Sequence, residues 1–187
     1  DFASGNGFTP LYWATSKGLV ETATTLVEAK AEVNKTISNG NTAIFAALSC
    51  KRNCEDLVRL LSEAKANCGV ENEKVITPLK LGLEKGLSQP ILDLLVECGA
   101  QPAMTLSDGG SLIHQVCAKP SAKSAMPSVN YLLGAKCQVN IQHGHSKATP
   151  LHLAARAAKS LPVVVLLLSH DADPNLTDMF SCTPFHV

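Results

Sequence analysis

Thr149-Pro150-Leu151-His152-Leu153-Ala154-Ala155 is the stretch on which the fold turns, because it returns along the chain. Variants of its first six residues stand at Thr9-Pro10-Leu11-Tyr12-Trp13-Ala14, Thr42-Ala43-Ile44-Phe45-Ala46-Ala47, Thr77-Pro78-Leu79-Lys80-Leu81-Gly82 and Ser111-Leu112-Ile113-His114-Gln115-Val116. A last copy opens at Thr183-Pro184-Phe185-His186-Val187. The first residues fall at 9, 42, 77, 111, 149 and 183, in steps of 33, 35, 34, 38 and 34. Self-similarity at a period of about 20 to 50 residues marks a chain built from stacked units.

Each unit has the same internal order. The opening Thr can cap a helix with its hydroxyl, and the Pro after it suits the first helical position, where no N–H is needed. Gly18 and Gly86 close such helices, since glycine tolerates the left-handed conformation just past a helix end. A second helix is marked by Leu60-Leu61, Leu94-Leu95, Leu132-Leu133 and the run from Val163 to Leu168. Pro90, Pro127 and Pro162 share one position in its first turn, which checks the register independently. The unit closes on Ala31-Glu32-Val33-Asn34, Ala66-Asn67-Cys68-Gly69, Ala100-Gln101-Pro102-Ala103, Cys137-Gln138-Val139-Asn140 or Ala172-Asp173-Pro174-Asn175. The largest insertion lies around Lys119 to Ser128, where Pro120, Ser121, Ser124 and Pro127 read as a loop.

With these motifs in register, the chain resembles the ankyrin-repeat family over nearly its whole length. The resemblance implies an all-α solenoid of helix–turn–helix units with β-hairpin-like fingers. It implies a single domain over 1–187, with repeats at about 5–37, 38–72, 73–106, 107–144 and 145–178 and a partial one at 179–187. Gly7, Gly40 and Gly109 fit the family two residues before the Thr. Val75, Lys147 and Ser181 replace glycine there, so those fingers are expected to turn differently. His114, His152 and His186 share one slot, in which the family's His bonds the neighbouring turn. Asn34, Asn140 and Asn175 resemble the asparagines that an oxygen-sensing hydroxylase modifies in some members.

Composition agrees with a stack of helices. The chain has 187 residues, 45% apolar and 4% aromatic, so Leu, Val and Ala build the core. Lys and Arg total 16, matched by 16 Asp and Glu. That balance argues against a nucleic-acid or anionic-membrane binder, which needs a basic excess. The longest apolar stretch, Leu161 to Leu168, is far short of the roughly 20 residues that span a bilayer. No N-terminal signal pattern is present. The chain starts at Asp1 and stops inside a repeat, which reads as a piece of something longer. Seven cysteines is an odd number. Most are expected at core positions, as free thiols in a reducing, cytoplasmic compartment.

A helix pair of this size cannot bury its apolar side alone, so stacking consumes the inner Leu, Ala and Val positions. Finger tips and the outer side of the first helices remain free to vary, which is how a rigid frame recognises a partner. Transferring the family's contact positions gives Asn6, Phe8, Asn39, Asn41, Lys74, Ile76, Asp108 and His145 on fingers. On first helices they are Ser16, Lys17, Glu84, Lys85, Lys119 and Arg156. Phe8 and Ile76 each precede the Thr and read as anchors, since apolar side chains flanked by polar groups carry interfaces.

Other chemistry finds little support. Cys50 and Cys54 with Cys68 and His143 or His145 could suggest zinc, but structural zinc needs two close ligand pairs and one is present. No Cys is placed beside a His and an orienting carboxylate, and no glycine-rich phosphate loop occurs. No catalysis, cofactor or metal is expected. Trp13 is expected in the core or against a preceding repeat. The reading is an intracellular scaffold or adaptor that binds a partner protein through its concave face. The alternatives are a regulatory array within a larger protein (an ion channel, an acyltransferase or a kinase) and a cytoskeleton-associated array.

Overall fold

The computed structural model describes residues 7–119, 124–157 and 160–186. Among these residues there are ten α-helices: α1 Pro10–Lys17, α2 Val20–Glu28, α3 Ala43–Ser49, α4 Cys54–Glu63, α5 Pro78–Lys85, α6 Gln89–Glu97, α7 Leu112–Cys117, α8 Ala125–Gly134, α9 Pro150–Ala155 and α10 Leu161–Leu168. β pairing among the described residues is one isolated antiparallel bridge, Thr105 to Ser111. The fold is all-α, in consecutive helix pairs. Every repeated Thr-Pro-Leu phrase from residue 9 to residue 149 starts the first helix of a pair.

The chain forms two compact units, Asp1–Gly82 with Leu87–Gln101, and Leu83–Gly86 with Pro102–Val187. In the first unit α1 packs on α2 and α3, and α4 packs on α2, α3 and α6. Its core side chains include Leu11, Ile44, Leu48, Leu57, Leu61, Ile91 and Leu95. A Cβ on Gly82 would lie 3.0 Å from Leu92 Cδ2 and 3.3 Å from Leu95 Cδ1, so the missing side chain lets α5 sit close on α6. In the second unit α7 packs on α8 and α9, and α10 on α8 and α9. Leu112, Ile113, Val129, Leu132, Leu151 and Leu167 fill that core. Burying one such side chain is worth about 1.5–3 kcal/mol, which a lone pair of short helices could not collect.

The caps follow from the sequence, with exceptions. Thr9 Oγ1 accepts from the Tyr12 N–H at 3.1 Å and Thr77 Oγ1 from the Lys80 N–H at 3.1 Å. Thr149 and His152 form a reciprocal capping box. Thr42 is extended at the start of α3, yet its buried hydroxyl has no hydrogen-bond partner. Gly18 closes α1 at φ 74°, and a Cβ there would lie 2.8 Å from the Arg52 carbonyl oxygen.

Four expectations are corrected. Val75, Lys147 and Ser181 take the left-handed backbone of Gly7, Gly40 and Gly109, with φ of 56°, 56° and 58° against 75°, 77° and 79°; the Lys147 finger does turn differently, its N–H closing on His143 O four residues back where those of Gly40, Val75, Gly109 and Ser181 close three back. The turn's hydrogen bonds hold them there: Asn72 N–H reaches Ile76 O and Val75 N–H reaches Asn72 O, both at 3.0 Å, as Ile37 and Gly40 do in the preceding finger. The insertion is loop over less of its length, because Ala125–Ser128 is already α8 and the Ser128 hydroxyl donates to Leu83 O at 3.0 Å. Pro120 and Ser121 lie outside the described residues. Of the two places expected for Trp13, the core is overturned, since Trp13 is 52% exposed and α1 turns Leu11, Ala14 and Thr15 inward instead. Of the seven free cysteines, Cys68, Cys117 and Cys137 are buried, whereas Cys50, Cys54, Cys98 and Cys182 are partly exposed.

Candidate functional site

A finger presents its tip because its stem is tied. In the first unit Glu73 N–H donates to Asn39 O at 3.2 Å, and the Asn72 amide donates to Asn41 Oδ1 at 2.7 Å. The Asn72 carboxamide oxygen also accepts from the Lys74 and Ile76 N–H groups, both at 3.0 Å. In the second unit Gly144 N–H donates to Gly109 O at 2.6 Å and Met179 N–H to Ser146 O at 2.9 Å. The extra residue between Asn140 and Thr149 sits in the finger tip. There His143 N–H reaches across five residues to Ala148 O, where other fingers span four.

Buried histidines lock fingers to first helices. His114 is 2% exposed; its Nδ1 lies 2.8 Å from Ser111 Oγ and its Nε2 lies 3.1 Å from Ala148 O. A carbonyl only accepts, so Nε2 carries the proton and Nδ1 takes the serine's. Burial pushes the His114 pKa below its usual value, with the His143 ring adding to that, against the Ala148 carbonyl that favours the charged form. His152 repeats the arrangement, with Nε2 3.0 Å from Cys182 O. These imidazoles hold the frame. Among the described residues no group of three or more His, Cys, Asp or Glu is placed to hold a metal ion. Burial pushes the thiols of Cys68 and Cys117 up to about 12 and that of Cys137 to about 11, which leaves them protonated and poor nucleophiles.

The expected contact residues fall into separate patches. Asn39, Asn41, Lys74 and Ile76 line one depression of about 210 Å³ in the first unit, with Phe45, Ser49, Asn72 and Leu81. Ile76 is half-buried on its wall, so it does not stand out as a free anchor. Ser16 and Lys17 line another of about 410 Å³ with Cys50, Lys51 and Arg52. Phe8 is 39% exposed and meets the Tyr12 ring edge-on, centroids 5.2 Å apart. Asn6 lies outside the described residues.

In the second unit Glu84 and Lys119 share a depression of about 250 Å³ with Gln115, Ala125 and Ser128. Asp108 is exposed at its finger tip; its carboxylate accepts from the Gly110 N–H at 2.9 Å and from the Gln115 amide at 3.3 Å. His145 is exposed and lies against Gly109, where a Cβ would come within 2.7 Å of its Nδ1. Lys85 and Arg156 are exposed at the ends of α5 and α9.

Two features went unread in the sequence. Asn72, which ties finger to finger, stands where other units carry Ile37, Leu106 and His143, so only its match with Asp178 could have signalled it. The outward stripe of the second helices is polar in α2 (Glu21, Thr25, Glu28) and apolar in α10 (Leu161, Val165, Leu168), all exposed. The hydrophobic run was visible; which of its members face solvent was not. Asn34 and Asn140 spend their amides on the next repeat. Asn34 bonds Lys65 O and Asn67 N–H at 3.2 and 2.7 Å, and Asn140 bonds Asp171 O and Asp173 N–H at 3.0 and 2.8 Å.

Known proteins resemble this chain along the same lines. The sequence profile described as "Ankyrin repeats (3 copies)" matches residues 1–72 and 79–178. Rabankyrin-5 of Homo sapiens is 31% identical over 167 residues, covering 88% of the chain and 14% of that protein; its Mus musculus counterpart is 28% identical over 165 residues. Palmitoyltransferase AKR1 of Lachancea kluyveri is 43% identical over 58 residues, 31% of the chain and 8% of that protein. The chain thus spans about one seventh of the first of these curated relatives or less. The crystal structure of the human ASB11 ankyrin repeat domain superposes with a TM-score of 0.79 at 23% identity, covering 99% of this chain and 79% of that one. That likeness concerns the fold. No helix among the described residues is long and apolar enough to cross a membrane.

Proposed function

The chain belongs to the ankyrin-repeat family, and on that premise we propose that it is a protein-interaction module whose finger tips and first-helix outer sides bind a partner protein. Ankyrin repeats are typically non-catalytic, and the proposal assigns this segment no reaction of its own. The observation that carries it is the division of labour along each unit. Leu11, Ile44, Leu79, Ile113 and Leu151 are at most 2% exposed, while Ser16, Lys17, Asn39, Lys74, Glu84, Lys85, Asp108, Lys119, His145 and Arg156 are exposed. A frame that buries its repeated residues and exposes its variable ones suits recognition.

The proposal keeps the repeat limits near 37, 72, 106, 144 and 178, includes Asn6 on the first finger, and places the module in the cytoplasm, where free thiols persist. Within it, the depression lined by Asn39, Asn41, Lys74 and Ile76 receives a partner side chain, and Phe8 supplies an exposed aromatic contact. The test is proximity labelling or pull-down from cells with the Phe8→Ala, Ile76→Ala double variant beside the parent chain. Loss of most of the recovered partner is expected. Full recovery, with circular dichroism showing both proteins folded, sinks this face.

A second reading has its own support. The chain covers a small part of each curated relative, a palmitoyltransferase among them. On this reading the array regulates a larger polypeptide by docking on it. A partner captured in trans by the isolated chain favours the first reading; capture of nothing except flanking segments of its own polypeptide favours the second.

A further inference from the structure

Two of the seven cysteines are side by side. Cys68 lies in the segment after α4 and Cys98 caps the end of α6, both in the first unit. The Cys68 N–H donates to Cys98 O at 3.0 Å. That bond sets the two residues side by side, the arrangement a disulfide requires, since it bridges α-carbons only roughly 4.4–6.8 Å apart. The side chains converge as well: the Cys68 thiol is hydrogen-bonded with that of Cys98, and Cys98 Sγ lies 3.0 Å from Ser62 Oγ. A glycine follows each cysteine, and a Cβ on Gly69 would lie 2.7 Å from Gly99 O, so the two backbone segments approach too closely for a side chain there.

The pair is asymmetric in access. Cys68 is fully buried. Cys98 is partly exposed on the wall of a depression of about 440 Å³ that Ser62, Lys65, Asn67 and Glu97 also line. An oxidant from solvent therefore meets Cys98 first, with Cys68 directly behind it.

We propose that Cys68 and Cys98 are a redox modification site, a dithiol that glutathione disulfide converts to an intramolecular disulfide. Cys98 gives its proton to water and its thiolate attacks one sulfur of glutathione disulfide; a Cys98–glutathione bond forms as the glutathione disulfide bond breaks, and the departing glutathione thiolate takes up a proton. Cys68 gives its proton to water and attacks Cys98 Sγ. The Cys68–Cys98 bond forms as the Cys98–glutathione bond breaks, and the electron pair departs on the second glutathione, which takes up a proton. Two protein thiols are oxidised and one glutathione disulfide is reduced to two thiols. Burial and the neighbouring Cys98 hold the Cys68 thiol far up, at about 12, so the second step is slow at neutral pH and quickens as pH rises. The adduct on Cys98 is therefore a transient whose lifetime shortens with pH. The closed loop encloses α5 and α6, and constraining it in the unfolded chain raises the melting temperature of the oxidised form.

The experiment uses the whole chain with the other partly exposed thiols removed, Cys50→Ser, Cys54→Ser and Cys182→Ser, and its fold checked by circular dichroism. The protein is equilibrated in reduced and oxidised glutathione mixtures from neutral pH to about pH 9, quenched in acid and weighed by mass spectrometry. The expected product is lighter by two hydrogens, yields a linked Cys68–Cys98 peptide, reverts with dithiothreitol and melts higher than the reduced form. Cys68→Val and Cys68→Ala, two variants of differing bulk in case one fails to fold, are expected to stop at the glutathione adduct on Cys98. Cys98→Ser is expected to give neither product. A parent protein that keeps the adduct at about pH 9 with no linked peptide, or that links Cys98 to another cysteine, overturns the proposal.

Discussion

A histidine in the fourth place of a repeated phrase is the smallest unit of this fold that does physical work. His114 spans two repeats: it takes the Ser111 hydroxyl on one nitrogen and gives its proton to Ala148 O with the other. Its pKa is lowered, first by burial. In the unfolded chain the same imidazole titrates near 6.5. As pH falls through that value the unfolded state takes up the proton first and folding weakens, so the contribution is complete above about pH 6.5 and shrinks below it. Thermal melts from pH 7.5 down to about 5 are expected to show this acid loss, and His114→Gln is expected to flatten it while costing about 1–3 kcal/mol at neutral pH. An unchanged acid slope in the variant would assign the effect to other groups.

At the scale of the element, the finger decides its own backbone against side-chain preference. Left-handed conformation is costly for a residue with a Cβ, by about 1–2 kcal/mol, and worst for a β-branched one. Val75 adopts it at φ 56° because the Asn72–Ile76 turn and the Asn72–Asn41 link hold both sides. Val75→Gly is expected to stabilise by about 0.5–1 kcal/mol, the strain relieved less the extra entropy of glycine in the unfolded chain. Chemical denaturation reads this directly, and a destabilised variant would mean that the valine side chain's packing outweighs its strain. The helices needed less arbitration. Pro90, Pro127 and Pro162 marked the first turns of α6, α8 and α10. The start of α8 is not legible because Ser and Pro read as loop out of context, whereas Ser128 lies within α8 and its hydroxyl donates to Leu83 O at 3.0 Å.

For the molecule as a whole, charge sets what it attracts from a distance. Sixteen basic and sixteen acidic residues leave no net charge near neutrality, with an isoelectric point of about 7.1. Passage over immobilised heparin at physiological salt is expected without retention, since polyanion binding rests on counterion release by clustered cations. Firm retention that salt abolishes would expose a basic stripe built by the fold from Lys17, Lys51 and Arg52, which gather at one depression. Contact with a partner would accordingly depend on shape and short-range complementarity, and so vary little with ionic strength.

Periodicity determined the helical pairs, their order and the burial of the repeated Leu or Ile of each phrase, because a Thr-Pro-Leu-His phrase repeated at about one helix pair's length makes neighbours share an apolar core. Local preference and period act within a unit, and a linear text displays both. Exposure of Trp13, the half-burial of Ile76, the apolar outer stripe of α10 and the meeting of Cys68 with Cys98 came only from the tertiary structure. Each depends on how one repeat's surface lies against its neighbour within a unit, a relation between residues about thirty positions apart that depends on interhelical geometry and on turns no residue type dictates by itself.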